Sequence, residues 1–287
     1  MHTRPATPDD LPQITELTVR SDTAWFGAPE HDESEVGEYL DQVGDLATDS
    51  CLFVDGDRLI AAAFRNATDT WYVIDPDAVA GIADELIAWI AGSEDPKTPV
   101  LDRDSVLRAA LDRHGWTHRS SMFDLLRPVS NDWEIAEPVW PDGVATREFT
   151  PEDAEAIHHL IYVEAGWAEV PGHPHRDFAD WRPIFVTEHS RPEVQTLAWR
   201  GDRLVGVAMG RIFSDGTGWI AQLAVAKPER GQGLGRALLL DGLRRRRDAG
   251  ATMLGLSVQA ANRNALDLYL DAGLVIDREW MEYRPGG

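Results

Sequence analysis

Short apolar runs bounded by turn residues predict strands at about 195–200, 203–213 and 218–225. A helix at 151–166 precedes them, followed by a long connection from Gly166 to Pro192. After the strands come a glycine-rich turn and a helix from Gly233 to Arg247. A strand at Met253–Val258, a helix at Asn262–Ala272 and a strand at about 274–284 close the chain. Helices alternating with strands around a mixed sheet predict an α/β or α+β domain.

The pattern occurs twice. Arg4 with Thr7-Pro8-Asp9-Asp10 returns as Arg147 with Thr150-Pro151-Glu152-Asp153, 143 residues later. Each is a helix start, with threonine as N-cap, proline in the first turn and acids beside it. Gly56-Asp57-Arg58-Leu59-Ile60 returns as Gly201-Asp202-Arg203-Leu204-Val205, a hairpin turn. His114-Gly115-Trp116 followed by Leu126-Arg127-Pro128 returns as Ala272-Gly273-Leu274 followed by Tyr283-Arg284-Pro285. Three echoes in one order predict a duplication. The expected domains are 1–130 and 144–287, joined by a linker at 131–143 rich in Pro, Asp and Trp. Roughly a dozen residues are missing from the first copy, where the second carries its glycine-rich loop.

Charge divides the halves unequally. Of the net −22, residues 1–140 carry −18, from 28 acidic and 10 basic side chains. Nucleic-acid binding, which needs a basic face, is not expected, whereas cationic small molecules are compatible. No run of about 18 apolar residues is present to span a bilayer, and Met1-His2-Thr3-Arg4-Pro5 carries no apolar leader, so the expectation is a soluble cytoplasmic protein. It is expected as a monomer or homodimer. Cys51 is the single cysteine, read as a buried neutral thiol, and no metal-ligand spacing stands out. His173-Pro174-His175 is too bare a pair for a metal site and reads as exposed loop.

The candidate chemistry lies between the strand ending at Val225 and the helix after residue 233. Pro228 ends the strand, and Arg230-Gly231-Gln232-Gly233-Leu234-Gly235-Arg236 follows. Glycines at a helix N-terminus leave main-chain N–H groups unpaired and let an anion approach them closely. Arg230 and Arg236 add positive charge there. The Gly-x-Gly-x-Gly spacing is wrong for the dinucleotide fingerprint, and the Gly-Lys-Ser/Thr of a nucleoside-triphosphate loop is absent.

Arg230, Gly233 and Gly235 in this strand–loop–helix setting resemble the acetyl-CoA loop of the GCN5-related N-acetyltransferase (GNAT) family. The likeness continues through Asn262, Ala265, Leu268, Tyr269 and Gly273 and covers residues 144–287. It implies two tandem GNAT-like domains, each a mixed, mostly antiparallel sheet flanked by helices, similar to the mycothiol synthase-like acetyltransferases. It also implies acetyl-CoA as cosubstrate and no metal. By the resemblance, Leu223, Ala224 and Val225 bind the pantetheine arm, while Arg230 to Arg236, with Gln232 and Leu234, hold the diphosphate. Asn262 caps its helix and reaches the CoA arm, and Tyr269 protonates the departing thiolate. Many relatives carry a carboxylate where this chain has Gln222, so the base falls to Glu164, Glu169, Asp177 or Asp180, or to a water chain. The first copy keeps only Gly81 of the glycines and carries Asp75 and Asp77 there, so it is expected not to bind acetyl-CoA and to shape an acceptor cleft. The implied activity is acetyl transfer to a primary amine of a small cationic molecule, such as an aminoglycoside-like compound or an amino sugar or amino acid derivative. Acetylation of a protein amine and acyl-CoA sensing without turnover are the alternatives.

Overall fold

The structure, a computed structural model, describes residues 1–66, 70–169, 175–187 and 190–286. Two compact units are present, Met1–Met122 with Arg278–Gly287, and Phe123–Asp277. The first unit carries β1 (His2–Arg4), α1 (Leu11–Phe26), α2 (Glu33–Leu40), α3 (Leu46–Asp49), β2 (Ser50–Asp55), β3 (Arg58–Arg65) and β4 (Thr70–Ile74). Then come α4 (Val79–Ala91), β5 (Thr98–Leu101), α5 (Ser105–Arg113) and the start of β6 (Trp116–Pro128). Strands β1 to β4 pair in sequence order, all antiparallel. One side of this sheet is buried by Ile14, Leu17, Val36 and Leu40, and the other by Ile82, Leu86, Ile87 and Leu107.

The second unit holds the rest of β6, then β7 (Val144–Arg147), α6 (Ala154–His159) and a π-helical turn over Leu160–Glu164. It continues through α7 (Phe178–Phe185), β8 (Thr196–Arg200), β9 (Arg203–Ile212), β10 (Thr217–Val225), α8 (Leu234–Asp248), β11 (Met253–Gln259) and α9 (Arg263–Asp271). The last strand, β12 (Val275–Pro285), starts here and ends in the first unit, where it pairs with β5. Neighbours run β6, β11, β10, β9, β8, β7, with β10 and β11 parallel. Leucines of α8 and the apolar side of α9 bury one face, and Ile157, Leu160, Ile161 and Trp181 bury the other. The mixed α/β class expected from the pattern is what the chain forms.

The duplicated helix starts also recur in space. Thr7 with Asp10, and Thr150 with Asp153, each form a reciprocal capping box that satisfies otherwise unpaired amides. Residues 131–143 all lie in the second unit, where Trp133 and Ile135 are buried against α8 and α9.

Candidate functional site

The loop after β10 is held open by its glycines. Gly231 and Gly233 have φ of 75° and 86°, in the left-handed region that side chains with a Cβ enter at a cost. These two turns deliver Leu234 into the core as the first residue of α8. Among the described residues, no acceptor meets the main-chain N–H groups of Gly231, Gln232, Gly233, Leu234, Gly235 or Arg236; the next, Ala237, donates to Gly233 O at 3.0 Å. Six consecutive free donors at the positive end of a 15-residue helix favour an anion. The two arginines differ. Arg230 is spent on the scaffold, donating from Nη2 to Ala165 O at 2.6 Å and from Nε to Val225 O at 3.2 Å. Arg236 is exposed and makes no ion pair among the described residues. Gln232 donates to Pro228 O at 3.3 Å.

Beside this loop the sheet parts. Strand β10 pairs with β11 only from Thr217–Met253 to Ile220–Leu256, although β10 runs on to Val225 and β11 to Gln259. On the other side, β10 stays paired with β9 as far as Val225–Gly206. The β11-side edge of Leu223, Ala224 and Val225 is therefore left without a strand, a place where an extended amide-bearing chain adds by main-chain hydrogen bonds.

A β-bulge between Ile220 and Gln222 produces the parting. It also switches faces: Ile220 packs with α8, whereas Ala224 packs with α6 and Trp181. A buried polar clamp holds the bulge. Gln195 donates to Gly210 O at 2.8 Å and accepts from Gly210 N at 3.0 Å. Fully buried Arg246 donates to Trp219 O at 3.0 Å and Gly242 O at 2.9 Å. Burial, with Arg245 nearby, pushes the Arg246 guanidinium down to about 9. At Gly210 a Cβ would collide with Trp219 O, so the residue must be glycine.

The other sequence candidates take distinct positions. Tyr269 is 7% exposed, its hydroxyl makes no hydrogen bond among the described residues, and burial pushes it up to about 12. A buried phenol lacking a protein partner needs one from water or a bound molecule. Asn262 caps α9, accepting from Ala265 N at 3.3 Å. Glu164 accepts from Arg203 at 2.7 Å, and Glu169 from Lys227 at 2.6 Å, so both carboxylates are ion-paired. Asp177 lies 3.4 Å from His175 and is exposed, as is Asp180. His173 and Pro174 fall outside the described residues. Gln222 is buried, and its Oε1 accepts from Trp181 Nε1 at 3.2 Å. That bond assigns the carbonyl to Trp181 and turns the amide NH₂ elsewhere.

Several residues here escaped the sequence reading. Trp181 centres an aromatic group with His158, Phe178 and Phe185, ring centroids 5.5 to 6.3 Å from its own. His158 is tied by Nε2 to Arg176 O at 2.9 Å. The spacing Phe178, Trp181, Phe185 is an apolar helical stripe, a legible signal inside the segment read as an irregular or helical connection.

The corresponding loop of the first unit supplies its own anion. Asp75 is buried, paired with Arg58 and lying 3.5 Å from Arg20. Its Oδ1 accepts from Asp77 N at 3.1 Å, and its main-chain O from Ala78 N at 2.8 Å. The adjoining groove, about 480 Å³, is lined by Asp55, Asp75 and Asp77 against Arg58 and the Met1 amino group.

Residues 154–274 match the acetyltransferase (GNAT) family. Over 170 residues the chain is 31% identical to a mycothiol acetyltransferase of Saccharopolyspora erythraea, covering 58% of this chain and 54% of that protein. Over 152 residues it is 32% identical to the mycothiol acetyltransferase of Thermomonospora curvata, covering 53% of this chain and 50% of the relative. The chain thus spans about half the length of the curated relatives it matches. In fold it is similar to a GCN5-related N-acetyltransferase from Sphaerobacter thermophilus, with TM-score 0.79 and 23% identity over all of this chain and 96% of that one. A tandem GNAT protein from the clavulanic acid biosynthesis pathway superposes with TM-score 0.72 at 14% identity, over 100% of this chain and 99% of that one.

Proposed function

From the match of residues 154–274 to the acetyltransferase (GNAT) family, we propose that the second unit binds acetyl-CoA and transfers its acetyl group to a primary amine on a small cationic molecule. One observation carries the reading: six amides at the head of α8, unsatisfied among the described residues, adjoin a strand edge opened by a bulge. A diphosphate suits the first, and an amide-bearing pantetheine arm suits the second.

In this reading Gly231 to Arg236 hold the diphosphate by main-chain donors, with the Arg236 guanidinium beside them. The exposed edge of Leu223 to Val225 aligns the arm. Bound acetyl-CoA supplies an activated acyl carbon and a thiolate leaving group. Tyr269 gives its proton to the sulfur; held at about 12, the phenol remains protonated through the neutral range. Gln222 has no proton-accepting role, since a carboxamide is not basic in the neutral range; its carbonyl accepts from Trp181. The net acidity of the chain favours approach of a cationic acceptor. Relatives named mycothiol acetyltransferase support a small-molecule acceptor over a protein amine.

Isothermal titration with acetyl-CoA, followed by thiol release with a panel of amino sugars, aminoglycosides, amino acid derivatives and a lysine peptide, tests this. Saturable binding and thiol release with a small amine are expected. Tight binding with no release by any amine would make the chain a sensor, and release by the peptide alone would make it a protein acetyltransferase.

A further inference from the structure

A primary ammonium ion has to lose a proton before its nitrogen can attack. By analogy with lysine, only on the order of one in a thousand such groups is neutral at pH 7. Gln222 cannot take that proton, and Glu164 and Glu169 are bound to Arg203 and Lys227. Another carboxylate lies on the sheet itself.

Strands β6, β11 and β10 are neighbours in that order. Leu125 of β6 and Leu254, Leu256 and Val258 of β11 are buried in one cluster with α8. Side chains alternate across a strand, so Asp124 and Ser257 point to the opposite face. Leu126 agrees, since its Cδ2 fills the space where a Cβ of Gly255 would stand. Gln222 faces the same way, towards Trp181. Asp124 is 9% exposed, and the Ser257 hydroxyl donates to its Oδ1 at 2.5 Å. Ser257 is also the first residue of β11 beyond the last pairing with β10, at Leu256. It therefore stands where the sheet opens.

The polarity of this bond sets the chemistry. A hydroxyl that donates its hydrogen to Asp124 keeps its lone pairs for a donor on the other side. An ammonium N–H is such a donor. We propose that Ser257, backed by Asp124, is the proton acceptor for the substrate amine; this rests on the acetyltransferase reading above. One ammonium proton passes to Ser257 Oγ as the Ser257 hydroxyl proton passes to the Asp124 carboxylate. The nitrogen lone pair then forms the C–N bond, and the C–S bond breaks with its electron pair leaving on sulfur. Tyr269 protonates the sulfur and is reprotonated by the second proton released from nitrogen. Asp124 returns its proton to solvent. Serine contacts the substrate, and Asp124 acts through it as a positioning and proton-holding residue. Among the described residues, Gln222 from β10, which carries no charge, Trp181 from α7, and His158 from α6, which is tied to Arg176 O, also face this side, and Asp124 keeps a further contact besides that with Ser257.

The test uses the full chain with Asp124→Asn, Ser257→Ala and Ser257→Thr. Steady-state kinetics with the best amine, pH profiles and acetyl-CoA affinity by titration calorimetry are measured for each. Asp124→Asn and Ser257→Ala are expected to lose about 10²-fold or more in kcat/KM for the amine. Their acetyl-CoA affinity should stay within about twofold, and part of the lost rate should return as pH rises and the free amine becomes available. Ser257→Thr, which keeps the hydroxyl, should retain most activity. Wild-type-like rates and pH profiles in Asp124→Asn and Ser257→Ala would overturn the inference, as would acetyl-CoA affinity falling in step with rate. If Asp124→Asn fails to fold, the Ser257→Ala and Ser257→Thr pair decides the question on the same criteria. A wild-type chain that does not bind acetyl-CoA would instead overturn the acetyltransferase reading itself.

Discussion

Single residues here act through what they leave unbonded. Tyr269 has a buried ring and a hydroxyl with no acceptor among the described residues, so Tyr269→Phe removes a hydroxyl and little packing. Its kcat should fall about 10²-fold or more while acetyl-CoA affinity in a calorimetric titration changes little. Gly233 tests the loop. No atom lies within 4 Å of a Cβ built there, yet its φ of 86° disfavours any side chain. Gly233→Val should therefore cost about 1–2 kcal/mol of backbone strain and weaken acetyl-CoA binding at least tenfold. Asp10 reports on pH. Its bond from Arg4, reinforced by Thr7, holds its carboxyl down to about 2. A lowered carboxyl pKa adds stability above the unfolded value near 4, and that stability is lost as pH falls towards 2. Acid denaturation followed by circular dichroism should show the wild type losing this advantage over Asp10→Asn in that window.

Elements carried most of what was legible beforehand. The glycine loop, the helix after it and the strand–helix pair ending at Gly273 fall within two residues of their expected bounds, because apolar runs and Gly or Pro punctuation mark them locally. The bulge was not legible. It depends on Gln195, Gly210 and Arg246, which are far apart in sequence and meet only across β8, β9 and α8. Ser257 with Asp124 was hidden for the same reason, and Trp133 and Ile135 lay inside a stretch whose Pro and Asp content read as linker. Arg246 gives this scale its prediction. Arg246→Met loses two hydrogen bonds and also a buried charge that has no carboxylate partner among the described residues, so the melting temperature should change by only a few degrees. Acetyl-CoA affinity should nevertheless fall about tenfold, because the bulge that opens β10 from β11 loses its clamp. An unchanged affinity would show that the bulge holds without it.

Across the whole chain, the duplication has two outcomes at one position. Each copy keeps the Thr-Pro-acid-acid capping box and the hairpin that follows. At the head of the helix after the third hairpin strand, the second copy has six amides free among the described residues, while the first has a buried aspartate paired with Arg58. The sequence indicated a silent first copy on the ground that Asp75 and Asp77 repel a diphosphate. In the structure Asp75 turns inward and takes up the amide of Asp77 and the guanidinium of Arg58 itself. The asymmetry is best read amide by amide, by titrating the ¹⁵N-labelled protein with acetyl-CoA and following backbone N–H resonances. Gly231 to Arg236 should shift first and furthest, with Leu223 to Val225 next and Asp75 to Gly81 unmoved. Resonances of 231–236 that stay still while acetyl-CoA binds elsewhere would contradict the proposed site.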